Sequence, residues 1–352
     1  MEKYLDELKI EENVRLAPLT TLKIGGAARY FVRAENEAQV VEAFNFAEEH
    51  GFELFVLGGG SNVLIADKGF DGLVLQIALR GISEKENLIT AQAGEDWDAF
   101  CGFCVENNLA GIECLSGIPG FVGGTPVQNV GAYGQEVSET IVCVRVFDRK
   151  SKQVLELTNA DCKFAYRTSI FNTTAKNRFI VLAVTYALIK DGGPKIIYKD
   201  LREFFGEHKP DLRETREAIC QIRAGKAMLV RQGGPDANSA GSFFKNPIVR
   251  REKFAEIIEI AKSFGFENVP NFGVDAASVK IPAAWLIEQS GFHKGYCKGN
   301  AGLSTKHTLA ITNRGNATAK DILLLKNEIQ FKVNEKFGVE LNPEPVFVGF
   351  EK

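Results

Sequence analysis

The sequence is short of the residues that build metal centres and covalent cross-links. Its four histidines are scattered, and its seven cysteines are an odd number spread between Cys101 and Cys297. Cys101 and Cys104 have CxxC spacing, but a structural zinc site would use a second such pair and none exists. No metal site is expected. Trp97, Cys101 and Cys104 stand at helical spacing instead and read as one apolar helix face. Charge of one sign is also lacking: 42 Lys and Arg against 45 Asp and Glu leave a net charge of −3, which argues against a large nucleic-acid surface. An anionic ligand would have to be met by a local cluster of Lys and Arg. No apolar run approaches the ~20 residues of a membrane helix, and the charged opening segment 1–9 has no signal-peptide core. A soluble, cytoplasmic chain with neither membrane nor nucleic acid as partner is expected.

Two nucleotide fingerprints are missing as well. Gly58-Gly59-Gly60-Ser61-Asn62 comes after an apolar run at 52–57, but Val63 stands where GxGxxG needs its last glycine, and residues 63–65 are strand-like rather than helical. Nowhere does Gly-Lys-Ser/Thr close a phosphate loop. Phosphates, if bound, would sit on a strand–loop–strand nest of backbone N–H groups.

What the chain has is glycine in the right company. Residues 115–134, LSGIPGFVGGTPVQNVGAYG, carry Gly117, Gly120, Gly123, Gly124, Gly131 and Gly134, interrupted by Pro119 and Pro126. No apolar period survives there, so neither a helix nor an ordinary strand is expected. Glycine lets backbone approach another surface closely, while Gln128, Asn129 and Tyr133 add hydrogen-bonding side chains. The stretch reads as a nucleotide-cofactor loop or as a turn-rich surface loop.

At 352 residues, 45% hydrophobic and 25% charged, the chain is long enough for about two or three domains. Residues 29–34 read as a strand, and Asn36 with Gln39 as the start of a helix that runs to about His50 and stops at Gly51. Strands are expected at 52–57, 63–65, 88–93, 141–148, 153–157 and 179–188, and a helix at 95–108. The charged run 207–216 marks a candidate boundary. Beyond it, helices are expected at 252–264, 282–289 and 318–337, the last with a Thr318/Asp321 capping box and Gly338 as its stop, and strands at 309–312 and 346–350.

Three polar spots carry candidate chemistry. Arg167, in AYRTSIF, sits among aromatic and apolar residues: it either meets a planar anion or packs on Tyr166. Ser242, in GSFFKNP, comes after Gly241 and precedes two phenylalanines, with Lys245 and Asn246 as donors; a capping or turn serine is the plainer alternative. Glu344, in NPEP, is held between Pro343 and Pro345. No histidine falls in these segments.

Taken in order, GGGSNVL, the glycine stretch, AYRTSIF, GSFFKNP and NPEPVFVG resemble the UDP-N-acetylenolpyruvoylglucosamine reductase (MurB) family across nearly the whole chain. The resemblance implies an α+β fold: a two-part FAD-binding region of the vanillyl-alcohol-oxidase (PCMH) type, then a C-terminal α+β substrate-binding domain. It places the first FAD-binding subdomain at 1–80, with the C-terminal strand of 342–352 a candidate to pack on it, the second at 81–207, and the substrate-binding domain at 208–341. It puts FAD on Gly58, Gly59, Gly60, Ser61 and Asn62, on Ile118, Pro119, Gly120, Gly123 and Gly124, and on Gln128, Asn129, Gly131, Ala132 and Tyr133. With no histidine near these loops, the flavin is expected to be non-covalent. The catalytic set falls on Arg167, Ser242 and Glu344. Tyr198, in YKDL, resembles the tyrosine of the branch whose loop caps the substrate; Lys226 resembles a substrate lysine, and Asn246 joins them. Many members continue Lys-Leu-Pro where this chain has Lys226-Ala-Met-Leu-Val. The implied reaction is NADPH-dependent reduction of UDP-N-acetylglucosamine enolpyruvate to UDP-N-acetylmuramate, with hydride from flavin N5 to the vinyl carbon, a proton from Ser242, and the enolate stabilised by Arg167 and Glu344. No second dinucleotide fingerprint is visible, so NADPH is expected to share the substrate pocket. A monomer is expected. Two other readings compete: another FAD-dependent oxidase or dehydrogenase of the same fold, and a non-enzymatic nucleotide-sugar binding module. A flavin absorption spectrum removes the second.

Overall fold

The computed structural model describes residues 8–229, 234 and 236–351; the charged opening residues 1–7 and Val230, after the Lys226 segment, lie outside the described residues. The chain divides into two compact units. The first takes the described residues of Met1–Leu19, Ala27–Ser61 and Gly69–Leu229, the second those of Thr20–Gly26, Asn62–Lys68 and Val230–Lys352.

In the first unit the β–α–β reading at the start holds. Strand Ala27–Ala34 leads into helix Glu37–Glu49, whose cap Asn36 accepts from the Gln39 N–H at 3.0 Å, while the Gln39 side chain accepts from the Glu35 N–H at 2.8 Å. Gly51, at φ +67°, ends the helix, and strand Glu53–Leu57 comes next. Between these two strands, parallel to both, lies Phe70–Ile77, a strand the sequence pattern does not announce. Its Leu73, Val74 and Leu75 are all fully buried, so no inward–outward alternation marks it. Glu11–Arg15 closes the far edge antiparallel to Ala27–Ala34.

A second, fully antiparallel sheet runs Gln153–Thr158, Ile141–Asp148, Phe179–Ala187, Leu88–Gln92, Ile82–Lys85. One continuous core joins both sheets, with Phe46, Leu75, Trp97, Phe147 and Tyr186 among its members. Helix Trp97–Glu106 buries Trp97, Cys101 and Cys104 on one face as the spacing implies, and burial pushes the Cys104 thiol up to about 12, which makes it inert. The charged run 207–216 begins between helices Lys199–Phe205 and Leu212–Gly225 and opens the second: Asp211 forms a capping box with Glu214, and helix Leu212–Gly225 begins there with Leu212, Thr215, Ala218 and Ile219 buried. Charge on its outer face masks an amphipathic helix.

The second unit is also α+β. A four-stranded sheet runs Ser239–Ser242, Ala310–Asn313, Ala301–Leu303, Cys297–Lys298. Helices Arg251–Ser263, Ala283–Gln289 and Ala319–Phe337 cover its core, which includes Phe243, Phe244, Leu286, Leu325 and Phe337. The expected Thr318/Asp321 capping box is present, and Gly338, at φ +60°, ends the long helix. Val63–Ile65 pairs in parallel with Val346–Val348 in the same unit. Among the described residues, no helix is long and apolar enough to cross a membrane.

Candidate active site

The two glycine segments meet. A Cβ on Gly59 would lie 2.8 Å from the Gly120 Cα, and one on Gly120 would lie 2.9 Å from the Ser61 Oγ. Gly123 is equally forced: its N–H donates to the Ala93 carbonyl at 2.9 Å, and a Cβ would fall 2.6 Å from the Ala93 Cβ. Packing alone therefore accounts for glycine at 59, 120 and 123. It does not account for Gly124, where a Cβ would meet nothing within 4 Å. Gly124 borders a cavity of about 200 Å³ that is also lined by Gly58, Val56, Ile77, Val127 and Ile180. An open cradle at a glycine backbone beside an apolar wall fits a ligand with a flat ring and a polar tail.

The contrast is testable. Gly59→Ala forces backbone against backbone and should destabilise the fold by about 1–3 kcal/mol. Gly124→Ala should leave the ligand-free protein as stable as before or more so, by up to about 1 kcal/mol, while weakening flavin binding roughly tenfold, about 1.4 kcal/mol. Thermal melts of the flavin-free variants and flavin titrations would check both; a normal flavin affinity in Gly124→Ala would take the ligand out of this cradle.

The remainder of the 115–134 stretch has no long regular element, as expected. It makes one short turn at Val122–Gly124 and a two-residue hairpin, Gly131–Ala132 with Gln135–Glu136. Asn129 is buried and its amide is fully engaged: Nδ2 donates to the Glu136 carboxylate at 2.8 Å and the Ala165 carbonyl at 3.1 Å, and Oδ1 accepts from the Ser138 N–H at 3.1 Å. Asn129 thereby ties the hairpin to the Arg167 turn. In that turn, Ala165 and Thr168 exchange backbone hydrogen bonds, and Arg167 sits at the tip with φ +53°, a strained conformation for a residue with a side chain. The Asn172 amide donates to the Arg167 carbonyl at 3.1 Å, and Ser169 donates to the Val127 carbonyl at 2.6 Å. Of the two readings weighed for Arg167, packing on Tyr166 is present: the guanidinium lies 5.6 Å from that ring centre. Its Nη2 also donates to the Gly131 carbonyl at 2.8 Å, which ties the side chain to the hairpin.

On the other side of the hairpin, Tyr133 (φ +47°) meets Tyr198 edge to face at 5.4 Å between ring centres. The Lys226 ammonium lies 5.7 Å from the Tyr133 ring and pairs with Asp200, two residues beyond Tyr198. Tyr133, Tyr198 and Lys226 are thus one cluster. The group that anchors it escapes a reading of the sequence. Glu113, almost wholly buried, accepts from Gln135 Nε2 at 2.7 Å, the Lys195 N–H at 3.0 Å and the Gly111 N–H at 2.7 Å. A buried carboxylate with three donors binds the hairpin and the Tyr198 segment together. A lone glutamate inside the apolar run 109–115 is the signal that could have found it.

In the second unit, Ser242 and Glu344 share one backbone frame. Ser242 stands opposite Ala310, and the Phe243 N–H donates to the Leu309 carbonyl at 2.8 Å. The Phe243 carbonyl then accepts from the Glu344 N–H at 2.9 Å, Phe244 bridges Pro343, and the Lys245 N–H donates to the Asn342 carbonyl at 2.9 Å. Phe243 and Phe244 are buried and pin the segment from below. Asn62 joins the frame: its Nδ2 donates to the Glu344 carbonyl at 3.3 Å, and its carbonyl accepts from the Val346 N–H at 3.0 Å. Asn246 Oδ1 accepts from the Ala283 N–H at 2.9 Å and so helps start a helix. The capping or turn role weighed for Ser242 is not seen: among the described residues its hydroxyl makes no hydrogen bond.

Residues 28–157 match the FAD binding domain family, and residues 234–348 match the UDP-N-acetylenolpyruvoylglucosamine reductase C-terminal domain family. Together with the two-sheet first unit, these matches define an FAD-dependent oxidoreductase with a two-part flavin region of the vanillyl-alcohol-oxidase (PCMH) type and an α+β C-terminal domain. The UDP-N-acetylenolpyruvoylglucosamine reductase of Streptomyces coelicolor is 46% identical, covering 99% of this chain and 92% of its own. That of Thermobifida fusca is 42% identical, over 96% of this chain and 97% of its own. The crystal structure of the Thermus caldophilus enzyme aligns with a TM-score of 0.66 over 96% of this chain and 98% of its own; at 24% identity it speaks for the fold. The chain belongs to the UDP-N-acetylenolpyruvoylglucosamine reductase family.

Proposed function

We propose that the protein reduces UDP-N-acetylglucosamine enolpyruvate to UDP-N-acetylmuramate, with NADPH as reductant and non-covalent FAD as the carrier, in peptidoglycan precursor synthesis. The observation that carries this reading is the paired frame of the Ser242 and Glu344 segments, which holds a hydroxyl and a carboxyl on adjacent segments anchored by buried phenylalanines. A flavin oxidase of the same fold has no need of that pair.

Gly58, Gly124 and their loops would hold FAD, which when reduced by NADPH supplies the hydride for the vinyl carbon. The chain's own groups deal with the charge and the proton. Negative charge develops on the substrate carboxylate as an enolate, and the planar fork of Arg167 meets it with donors already in place. Glu344, in its protonated form, adds a second donor. Ser242 delivers a proton to the carbon next to the carboxylate; a hydroxyl is a weak acid, but an enolate carbon is a strong base. Tyr198, Lys226 and Asn246 take the nucleotide-sugar portion. The domain assignment goes with this: FAD on 1–80 and 81–207, substrate on 208–341. The working form is a monomer in the cytoplasm.

The test is anaerobic. The purified protein should be yellow and release its flavin on acid precipitation. It should bleach with NADPH and recover its colour when the enolpyruvyl nucleotide sugar is added. Flavin that stays with the denatured pellet would overturn the non-covalent assignment, and bleached protein that recovers only with oxygen would overturn the substrate.

A further inference from the structure

We infer that Arg149 is the cation that receives the diphosphate of FAD, an inference that rests on the flavin reading above. Three observations converge on it. First, the two glycine segments, 58–62 and 115–134, contain neither lysine nor arginine. Their N–H groups can orient a phosphate, but they carry no charge to set against it. Second, among the described residues lining the 200 Å³ cavity, Arg149 is the only one with a charged side chain; its other walls include Leu54, Val56, Gly58 and Gly124. The apolar wall suits a ring, and the glycines admit a backbone-bound phosphate.

Third, among the described residues Arg149 has no counter-charge of its own. It stands next to Asp148 in the chain, but both Asp148 oxygens are occupied: Arg178 donates through Nε at 3.0 Å and Nη2 at 2.8 Å, and the Lys150 N–H and Ser151 hydroxyl each donate at 3.0 Å. The carboxylate next to Arg149 in the chain is thus already taken by Arg178. Arg149 Nη1 donates to the Asn177 carbonyl at 2.8 Å, and the group lies 5.7 Å from the Phe44 ring centre; among the described residues it forms no ion pair. One carbonyl engages only one of its five N–H donors. Burial lowers its pKa, as expected for a cation partly removed from water without a partner. A phosphate would accept from the unused side of the fork in the bidentate geometry arginine favours.

The competing account makes Arg149 a purely structural side chain that stacks on Phe44 and holds the 177 turn. The two accounts separate in full-length protein stripped of flavin. FAD and riboflavin, which lacks phosphate, are titrated against the wild type, Arg149→Lys and Arg149→Met, following flavin fluorescence, with thermal melts of each flavin-free protein. A lost charge-assisted contact should raise the FAD Kd roughly 30-fold in Arg149→Met and about threefold to fivefold in Arg149→Lys. Riboflavin affinity should be the same in all three, and added salt should weaken FAD binding more steeply in the wild type than in Arg149→Met. An FAD Kd within about twofold of wild type in Arg149→Met would show that backbone N–H groups hold the diphosphate unaided. Equal losses for FAD and riboflavin, with a lowered melting temperature, would make the residue structural. Wild-type protein that binds FAD no better than riboflavin would overturn this inference while leaving a flavin site, whereas wild type that binds neither would bring down the flavin reading itself.

Discussion

Ser242→Ala should leave FAD bound and its reduction by NADPH close to normal, while reoxidation by the enolpyruvyl nucleotide sugar falls by roughly 10²–10⁴-fold, the range for a lost general acid. The selectivity comes from the needs of each half-reaction. Reducing the flavin moves a hydride and asks for no proton on a substrate carbon. Reducing the substrate asks for both. The position of Ser242 makes the variant clean. Its backbone is held from three sides, by Ala310 across the sheet, by the Leu309 carbonyl on Phe243, and by the Glu344 N–H on the Phe243 carbonyl. Its hydroxyl, by contrast, hydrogen-bonds to nothing among the described residues.

A capping serine lost to alanine would cost about 0.5–2 kcal/mol of stability, yet here no cap is lost, so the melting temperature should scarcely move. Ser242→Cys should recover part of the rate, since a thiol can also release a proton. Stopped-flow traces of the two steps decide the matter. If both steps slow equally, or reoxidation keeps its wild-type rate, Ser242 has no place in the chemistry.

The elements that could be read in the sequence are those whose signals are local. Asn36 and Gln39, Thr318 and Asp321, and Gly51 and Gly338 announce helix ends within a few residues, and the structure has all of them. Strand Ile141–Asp148 likewise stands where its apolar run places it. The parts that were not legible depend on partners far along the chain. Phe70–Ile77 is buried on both faces, so its period is hidden. Helix Leu212–Gly225 shows its charge in sequence and its apolar side only against the first unit's interior. The glycine stretch was legible as a close-approach segment, but one sequence cannot separate glycines that packing demands, at 59, 120 and 123, from Gly124, which faces open space. Nor can it show that Asn129 turns its amide inward to brace the Arg167 turn.

Arg167→Lys should cost substrate reduction about 10²–10³-fold, the usual loss for a donor removed from a developing oxyanion, and again spare flavin reduction by NADPH. The substitution keeps the positive charge, so a merely coulombic role predicts little change. A planar fork is what disappears. In the structure one arm of that fork is anchored: Nη2 donates to the Gly131 carbonyl at 2.8 Å, which fixes the plane in which the guanidinium lies. A lysine ammonium cannot be anchored and aimed in this way. It either keeps the Gly131 carbonyl or turns to the substrate, and its flexible stem is not aligned by the turn that holds residue 167. That turn is built for a fixed aim: φ is +53°, the carbonyl is held by the Asn172 amide, and the neighbouring Ala165 carbonyl is held by buried Asn129. Such strain persists only where the surroundings impose it, and it is concentrated at functional positions. The measurement is the rate of flavin reoxidation by the enolpyruvyl sugar under saturating substrate, beside the substrate KM. Loss in kcat with KM nearly unchanged marks an interaction made as charge develops on the substrate. Loss confined to KM would make Arg167 a ground-state anchor for the carboxylate, and wild-type kinetics would leave only its packing on Tyr166.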